Sequence, residues 1–217
     1  MLTLEIVSDI VCPWCYIGTR RLDAALAEIR RERPKFACRI LWRPFFLNPN
    51  TPPEGEPYLP FLENKFGSRE RVEAIFAQVR TAGAAYGLEF AFEKIAVRAN
   101  TLAAHRLIDR AQAAGEDARP LVERLFAVQF VEGRNVGDPA VLLDIAAELG
   151  HPRAEIADFL ESTVNLEQLR ASELEFRQAG VNSVPTFVLD RQLAVVGAED
   201  PARLAEAIRS RLADTAV

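Results

Sequence analysis

The chain is poor in sulfur and imidazole: its 217 residues include three cysteines, one methionine and two histidines. Three cysteines cannot staple a secreted disulfide framework. A tetrahedral zinc site needs four ligands, and beyond Cys12 and Cys15 only Cys38, His105 and His151 remain, scattered without ligand spacing; no metal is expected. A basic excess is also missing. Lys and Arg total 26 against 31 Asp and Glu, a net charge of −5, which argues against a nucleic-acid partner. No stretch approaches the roughly 18 uninterrupted apolar residues of a membrane span, so no membrane partner is expected. The first residues carry no Lys or Arg ahead of their apolar run, and Glu5 and Asp9 interrupt it. That run is a poor signal peptide and a plausible first strand, and the expected location is the cytoplasm.

What is present is an ordinary globular composition, 49% hydrophobic and 26% charged. Thr3 to Ser8 alternates and is rich in β-branched residues, which predicts a strand. A 3.6-residue apolar stripe through Ile17, Leu22, Leu26 and Ile29 predicts a helix from about Pro13 to Arg33, stopped by Pro34. Phe36 to Trp42 reads as a second strand that contains Cys38. Pro44, Pro49, Pro52, Pro53, Pro57 and Pro60 then crowd one segment, Arg43 to Pro60, which predicts a loop without regular structure. Helical patterns follow over 68–86, 100–114, 118–131, 138–149, 153–160 and 164–179, with Gly87, Gly115, Gly150 and Gly180 as stops. Asn100 and Asp138 read as N-caps. Short strands over 186–189 and 193–196 flank Asp190-Arg191-Gln192 as a hairpin, and Asp200-Pro201 opens a closing helix.

Removing the helical block leaves β-α-β followed by β-β-α, the thioredoxin order. The expected fold class is α/β, thioredoxin-like, with a large all-helical insertion between the two halves. The expected domains are residues 1–50 with 181–217, and the insertion over 51–180.

Cys12-Pro13-Trp14-Cys15 stands between the first strand and the first helix. Cysteines three apart at a helix start can face each other across one turn, close enough for a disulfide. Free N–H groups and the helix dipole favour a thiolate at the first of them. Half of a zinc site and a pair of inert buried thiols are the alternatives; placement after a strand and before a helix favours redox chemistry. Cys12 is then the nucleophile, partly exposed, and Cys15 the resolving thiol, with Pro13 and Trp14 tuning the site. Glu5 and Asp9 are the nearby carboxylates in sequence and the acid–base candidates. His105, at the border of an apolar stripe, and Asn100 are candidate substrate contacts as well as structural residues. Val184-Pro185-Thr186 precedes the third strand, where proline at a strand start is permitted.

Cys12-Pro13-Trp14-Cys15-Tyr16 together with Val184-Pro185-Thr186-Phe187 resembles the DsbA-like branch of the thioredoxin superfamily, and more narrowly the cytoplasmic FrnE-type proteins. Asn100-Thr101-x-x-Ala104-His105-Arg106-Leu107 and Phe130-x-Glu132-Gly133-x-Asn135-Val136-Gly137-Asp138-Pro139 resemble the motifs of their helical insert. The resemblance covers essentially the whole chain. It implies a cis Val184–Pro185 bond opposite the Cys12 sulfur, with Val184, Pro185 and Thr186 forming a substrate-binding loop. It also implies a protein disulfide oxidoreductase or isomerase acting on disulfide-containing proteins or small thiols without a cofactor, and is compatible with a homodimer. A neighbouring branch, the kappa-class glutathione transferases and 2-hydroxychromene-2-carboxylate isomerases, implies the alternative of a glutathione-dependent enzyme acting on small aromatic substrates. The chain departs from the usual family pattern at Ser183 and at Val196-Gly197-Ala198-Glu199.

Overall fold

The computed structural model describes residues 1–214. Its chain divides into two compact units, Met1–Phe45 with the segment from Ser172 onward, and Phe46–Ala171. The expected boundaries at 50 and 181 therefore both move toward the N-terminus.

The first unit is built on a four-stranded sheet of order β2-β1-β5-β6, with β1 at Leu2–Ser8, β2 at Cys38–Pro44, β5 at Thr186–Leu189 and β6 at Leu193–Val196. Two further strands, β3 and β4, lie in the second unit. β1 runs parallel to β2 and antiparallel to β5, and β5 pairs antiparallel with β6. A parallel pair needs a crossover, and helix α1 (Pro13–Glu32) supplies it. The β5–β6 hairpin turns through Asp190 and Arg191 at positive φ. Asp190 also ties the hairpin to β1: its carboxylate accepts from Thr3 N–H at 2.8 Å, and its own N–H donates to Thr3 O at 2.8 Å.

The register assigns the two faces of this sheet. Ile6 pairs with Phe187 and Glu5 with Val188, so each pair shares a face. A Cβ built on Gly18 of α1 would lie 3.2 Å from Phe187 Cζ, so the Ile6–Phe187 face carries α1. Helix α9 (Pro201–Asp214) packs against α1, and Arg209 of α9 pairs with Glu28 and Glu32. The C-terminal part of α8 (Leu166–Gln178) serves the other face, where Phe176 and Val188 line one depression with Arg191. This use of α8 places the unit boundary inside it, at Ser172, and not at its terminal Gly180.

The second unit is helical, with α2 (Tyr58–Phe66), α3 (Arg69–Ala84), α4 (Leu102–Ala113), α5 (Arg119–Ala127), α6 (Pro139–Glu148) and α7 (Arg153–Glu161). β3 (Glu56–Pro57) and β4 (Val97–Arg98) form a two-residue ribbon within it. The structured β3 and α2 correct the expectation of a loop through Pro60. Pro60 is the third residue of α2, where the N–H has no intrahelical acceptor, so proline costs no helical bond there. Helix α4 starts at Leu102, two residues after the expected cap, but Asn100 Oδ1 still accepts from Leu102 N–H at 3.0 Å. The fifth helix continues into a single π turn, Val128–Glu132. Phe76, Phe90, Phe92, Phe126 and Phe130 form a continuous cluster of stacked and edge-on rings in this unit.

Arg106 of α4 is buried and turns its guanidinium onto the C-terminal end of α7. It donates to Phe159 O and Leu160 O at 2.8 Å, to Ser162 O at 2.7 Å and to Val164 O at 3.2 Å. Such orphan helix carbonyls need donors, and they carry the negative end of the helix dipole. Arg106→Met keeps the apolar stem but strips these acceptors, and is expected to destabilise the protein by about 2–4 kcal/mol. A fall in the urea midpoint checks this, while a change within error of zero would refute a capping role.

Candidate active site

Cys12 is the N-cap of α1, with extended backbone (φ −98°, ψ 109°), and Pro13 follows at the first helical position, where its missing N–H costs nothing. Two backbone bonds set the turn: Cys12 N–H donates to Asp9 O and Cys15 N–H to Cys12 O, each at 3.0 Å. Thr19 Oγ1 then donates to Cys15 O at 2.8 Å, one turn along. Both cysteines are reduced. Cys12 is 6% and Cys15 2% exposed, so Cys12 is more enclosed than the partly exposed nucleophile expected. Pro13 and Trp14 are half-buried between them.

The Val184–Pro185 bond is cis, and the Cys12 thiol donates to Val184 O at 3.7 Å across 172 residues of sequence. Three contacts hold this loop. Thr186 Oγ1 donates to Ser183 O at 2.8 Å. Gly197 N–H donates to Pro185 O at 2.7 Å, from a backbone at φ +92° that favours glycine. Arg21 of α1 donates to Ala198 O. Of the departures noted from the family pattern, Ser183 accepts from Thr186 Oγ1 within this loop and Val196 pairs with Thr186 in the β5–β6 ladder.

Gly18 is the residue that sequence reasoning missed. An added Cβ there would lie 2.8 Å from Pro185 Cγ as well as against Phe187. Nothing in the local pattern marks it, because its neighbours lie far along the chain.

The Cys15 thiol is pushed well above its ordinary value of 9.0, by burial first and then by the hydrogen bond and charge of the Cys12 sulfur. Ser8 and the Asp9 backbone act in the opposite direction, as hydrogen-bond donors to a Cys15 thiolate. Asp9 itself is 1% exposed. A carboxylate just past a strand end would ordinarily be solvated, but the backbone turn that bonds Cys12 N–H draws Asp9 inward.

Glu5 is buried as well, but on the other face. It lies opposite Val188, away from α1, with Arg43 at 2.7 Å and Arg191 at 3.1 Å. The strand alternation that places Ser8 beneath α1 turns Glu5 from it, so the geometry gives Glu5 no path to the Cys15 sulfur. Asn100 and His105 belong to the helical unit. Besides its bond to Leu102, Asn100 donates to Thr51 O at 2.7 Å, and His105 is buried with its ring edge-on to Phe46 at 5.4 Å. Both therefore have structural work within that unit. Among the described residues no cluster of His, Cys, Asp and Glu could hold a metal ion, and no helix is long and apolar enough to cross a membrane.

A family model described as a DSBA-like thioredoxin domain matches residues 3–209. The chain belongs to the DsbA-like thioredoxin family. A probable DsbA oxidoreductase, SCO1869, from Streptomyces coelicolor superposes with a TM-score of 0.89 at 30% identity, over 98% of this chain and 91% of that one. The uncharacterized protein YwbO of Bacillus subtilis is 24% identical over 187 residues, 86% of each chain. A 2-hydroxychromene-2-carboxylate isomerase shares the fold, with a TM-score of 0.68 at 16% identity over 98% of this chain and 97% of that one.

Two outcomes follow from this DsbA-like geometry. Gly18→Ala forces Pro185 or α1 to shift; overpacking outweighs the gain in helix propensity, for a net loss of about 1–2 kcal/mol. Thermal melting checks it, and an unchanged or raised midpoint would show that the loop gives way freely. The second outcome concerns pH. Folded Cys15 keeps its proton above 9.0 while the unfolded chain loses it, so its contribution to stability is full below that value and declines as pH rises. In a Cys12→Ser, Cys38→Ala background, the stability advantage of Cys15 over Cys15→Ala should shrink between about pH 8 and pH 10. Paired urea titrations measure it, and a constant advantage would contradict the raised value.

Proposed function

We propose that this chain is a thiol–disulfide oxidoreductase in which Cys12 attacks a substrate disulfide and Cys15 resolves the product. The observation that carries the reading is the Cys12 sulfur at a helix N-terminus, 3.7 Å from Val184 O, with a second, deeper thiol one turn along. Cys12 as thiolate displaces one substrate sulfur and forms a mixed disulfide. Cys15 then attacks the Cys12 sulfur, forming the internal disulfide and releasing the second substrate thiol. Two electrons pass from the dithiol to the substrate, so no cofactor is required. The reverse sequence oxidises a substrate dithiol.

Pro13 and Trp14 flank the reacting sulfur and set its access. The main chain at Val184, ahead of Pro185 and Thr186, stands where an extended substrate segment can pair beside Cys12. Asp9, buried and joined through its carbonyl to Cys12 N–H, is the proposed acid–base partner. Substrates of this class are disulfide-containing proteins or small thiols, and the proposed setting is the cytoplasm, as for the FrnE-type proteins it resembles.

In a coupled disulfide-reduction assay Cys12→Ser should abolish turnover. Cys15→Ser should stop after the first exchange, leaving a mixed disulfide at Cys12 visible as added mass under non-reducing conditions. Full turnover by Cys12→Ser with glutathione present would sink the exchange reading in favour of a glutathione-dependent transferase or isomerase.

A further inference from the structure

Thiol exchange places a demand on Cys15 that its surroundings oppose: a buried thiol has to ionise in order to attack. Burial and the neighbouring Cys12 sulfur both oppose the charge. A thiolate that forms transiently in such a place needs hydrogen-bond donors already aimed at it.

Ser8 closes β1 and is 2% exposed. Its parity matches that of Ile6, which shares the α1 face with Phe187. The side chain therefore points beneath the N-terminal turn of α1, toward Cys15. Its Oγ is buried with no hydrogen-bond partner, although a buried hydroxyl ordinarily has one. Its backbone carbonyl is occupied separately, accepting from Phe45 N–H at 3.0 Å. The next residue, Asp9, turns its backbone toward the same sulfur while its carbonyl holds Cys12 N–H.

We propose that Ser8 Oγ–H and the Asp9 N–H form an anion niche for Cys15, and that Ser8 is a positioning residue for the resolving step. This rests on the exchange reading of the dithiol. In the mixed disulfide the Cys15 thiol releases its proton to solvent by way of the Asp9 carboxylate, the acid–base partner proposed above, and the thiolate accepts hydrogen bonds from Ser8 Oγ–H and Asp9 N–H. Its lone pair then forms the Cys15–Cys12 bond as the Cys12–substrate S–S bond breaks. The departing substrate thiolate takes up a proton from solvent, which balances the one Cys15 released. Ser8 keeps its own proton throughout. The hydroxyl has no hydrogen-bond partner in the structure, and a thiolate at Cys15 would give it one.

The test follows the two steps separately with Ellman's reagent in a Cys38→Ala background. The first equivalent of thionitrobenzoate reports Cys12 attack, and the second reports Cys15 closing on the Cys12 adduct. Ser8→Ala should leave the first rate unchanged and slow the second about tenfold near neutral pH, with its pH profile displaced upward. Ser8→Thr should restore the profile and the isosteric Ser8→Val should not, which separates the hydroxyl from the packing around it. Coincident second-step profiles for Ser8→Ala and the parent, or equal behaviour of the Thr and Val variants, would overturn the niche while leaving the exchange reading intact. A parent protein that releases no thionitrobenzoate would overturn both.

Discussion

The site depends on how closely α1 approaches the start of β5. At Gly18 the helix presents no side chain, and Pro185 Cγ and Phe187 Cζ occupy the space a Cβ would take. That approach brings Val184 O to within 3.7 Å of the Cys12 sulfur. The remaining restraints act on the same loop from other directions: Gly197 on the Pro185 carbonyl, Arg21 on Ala198, and Thr186 on Ser183. Two of these are main-chain or short side-chain bonds, and Arg21 adds one from a longer side chain anchored on α1.

Strand β1 separates two kinds of polar burial. Toward α1 it offers Ser8, small and neutral, beside a thiol. Toward α8 it offers Glu5, a full carboxylate between two guanidiniums, with Arg191 extending to Glu175 at 2.8 Å. A buried charge must be paired, and this one joins three elements of the first unit: β1, β2 through Arg43, and α8 through Arg191 and Glu175. The consequence for chemistry is a division of labour. The ion-pair cluster stays on one side of the sheet, and the dithiol lies on the other, with the buried Asp9 next to its turn.

Much of the fold was legible because its signals are local. The alternation of Thr3 to Ser8, the apolar stripe after Pro13, the hairpin turn at Asp190 and the capping pairs at Asp138-Pro139 and Asp200-Pro201 each act within a few residues. The Cys12-Pro13-Trp14-Cys15 pair was legible in the same way, whereas the cis Val184–Pro185 bond opposite it was expected only from the resemblance to the DsbA-like branch. Helix α2 was not, because prolines are read as breakers unless their position in the first turn is known. Gly18 was not legible either, since a glycine inside a helical stripe shows its purpose only against Pro185. Glu5 is instructive in a different respect. Its parity relative to Ser8 was present in the sequence and already placed the two residues on opposite faces; what was missing was which face α1 covers.

The architecture alone does not select a chemistry, since a 2-hydroxychromene-2-carboxylate isomerase shares it. The distinction has to come from the residues at the helix N-terminus. Glutathione chemistry needs an anchor for a thiolate that arrives with the substrate, and it gives a second protein thiol no task. Here the second thiol is retained, sealed from solvent, and set against a strand end that supplies a hydroxyl and an N–H. Burial alone would make Cys15 inert. Burial with donors directed at the sulfur makes it slow to ionise but able to do so in place, which is what a resolving thiol needs if it is to stay silent until Cys12 carries a substrate.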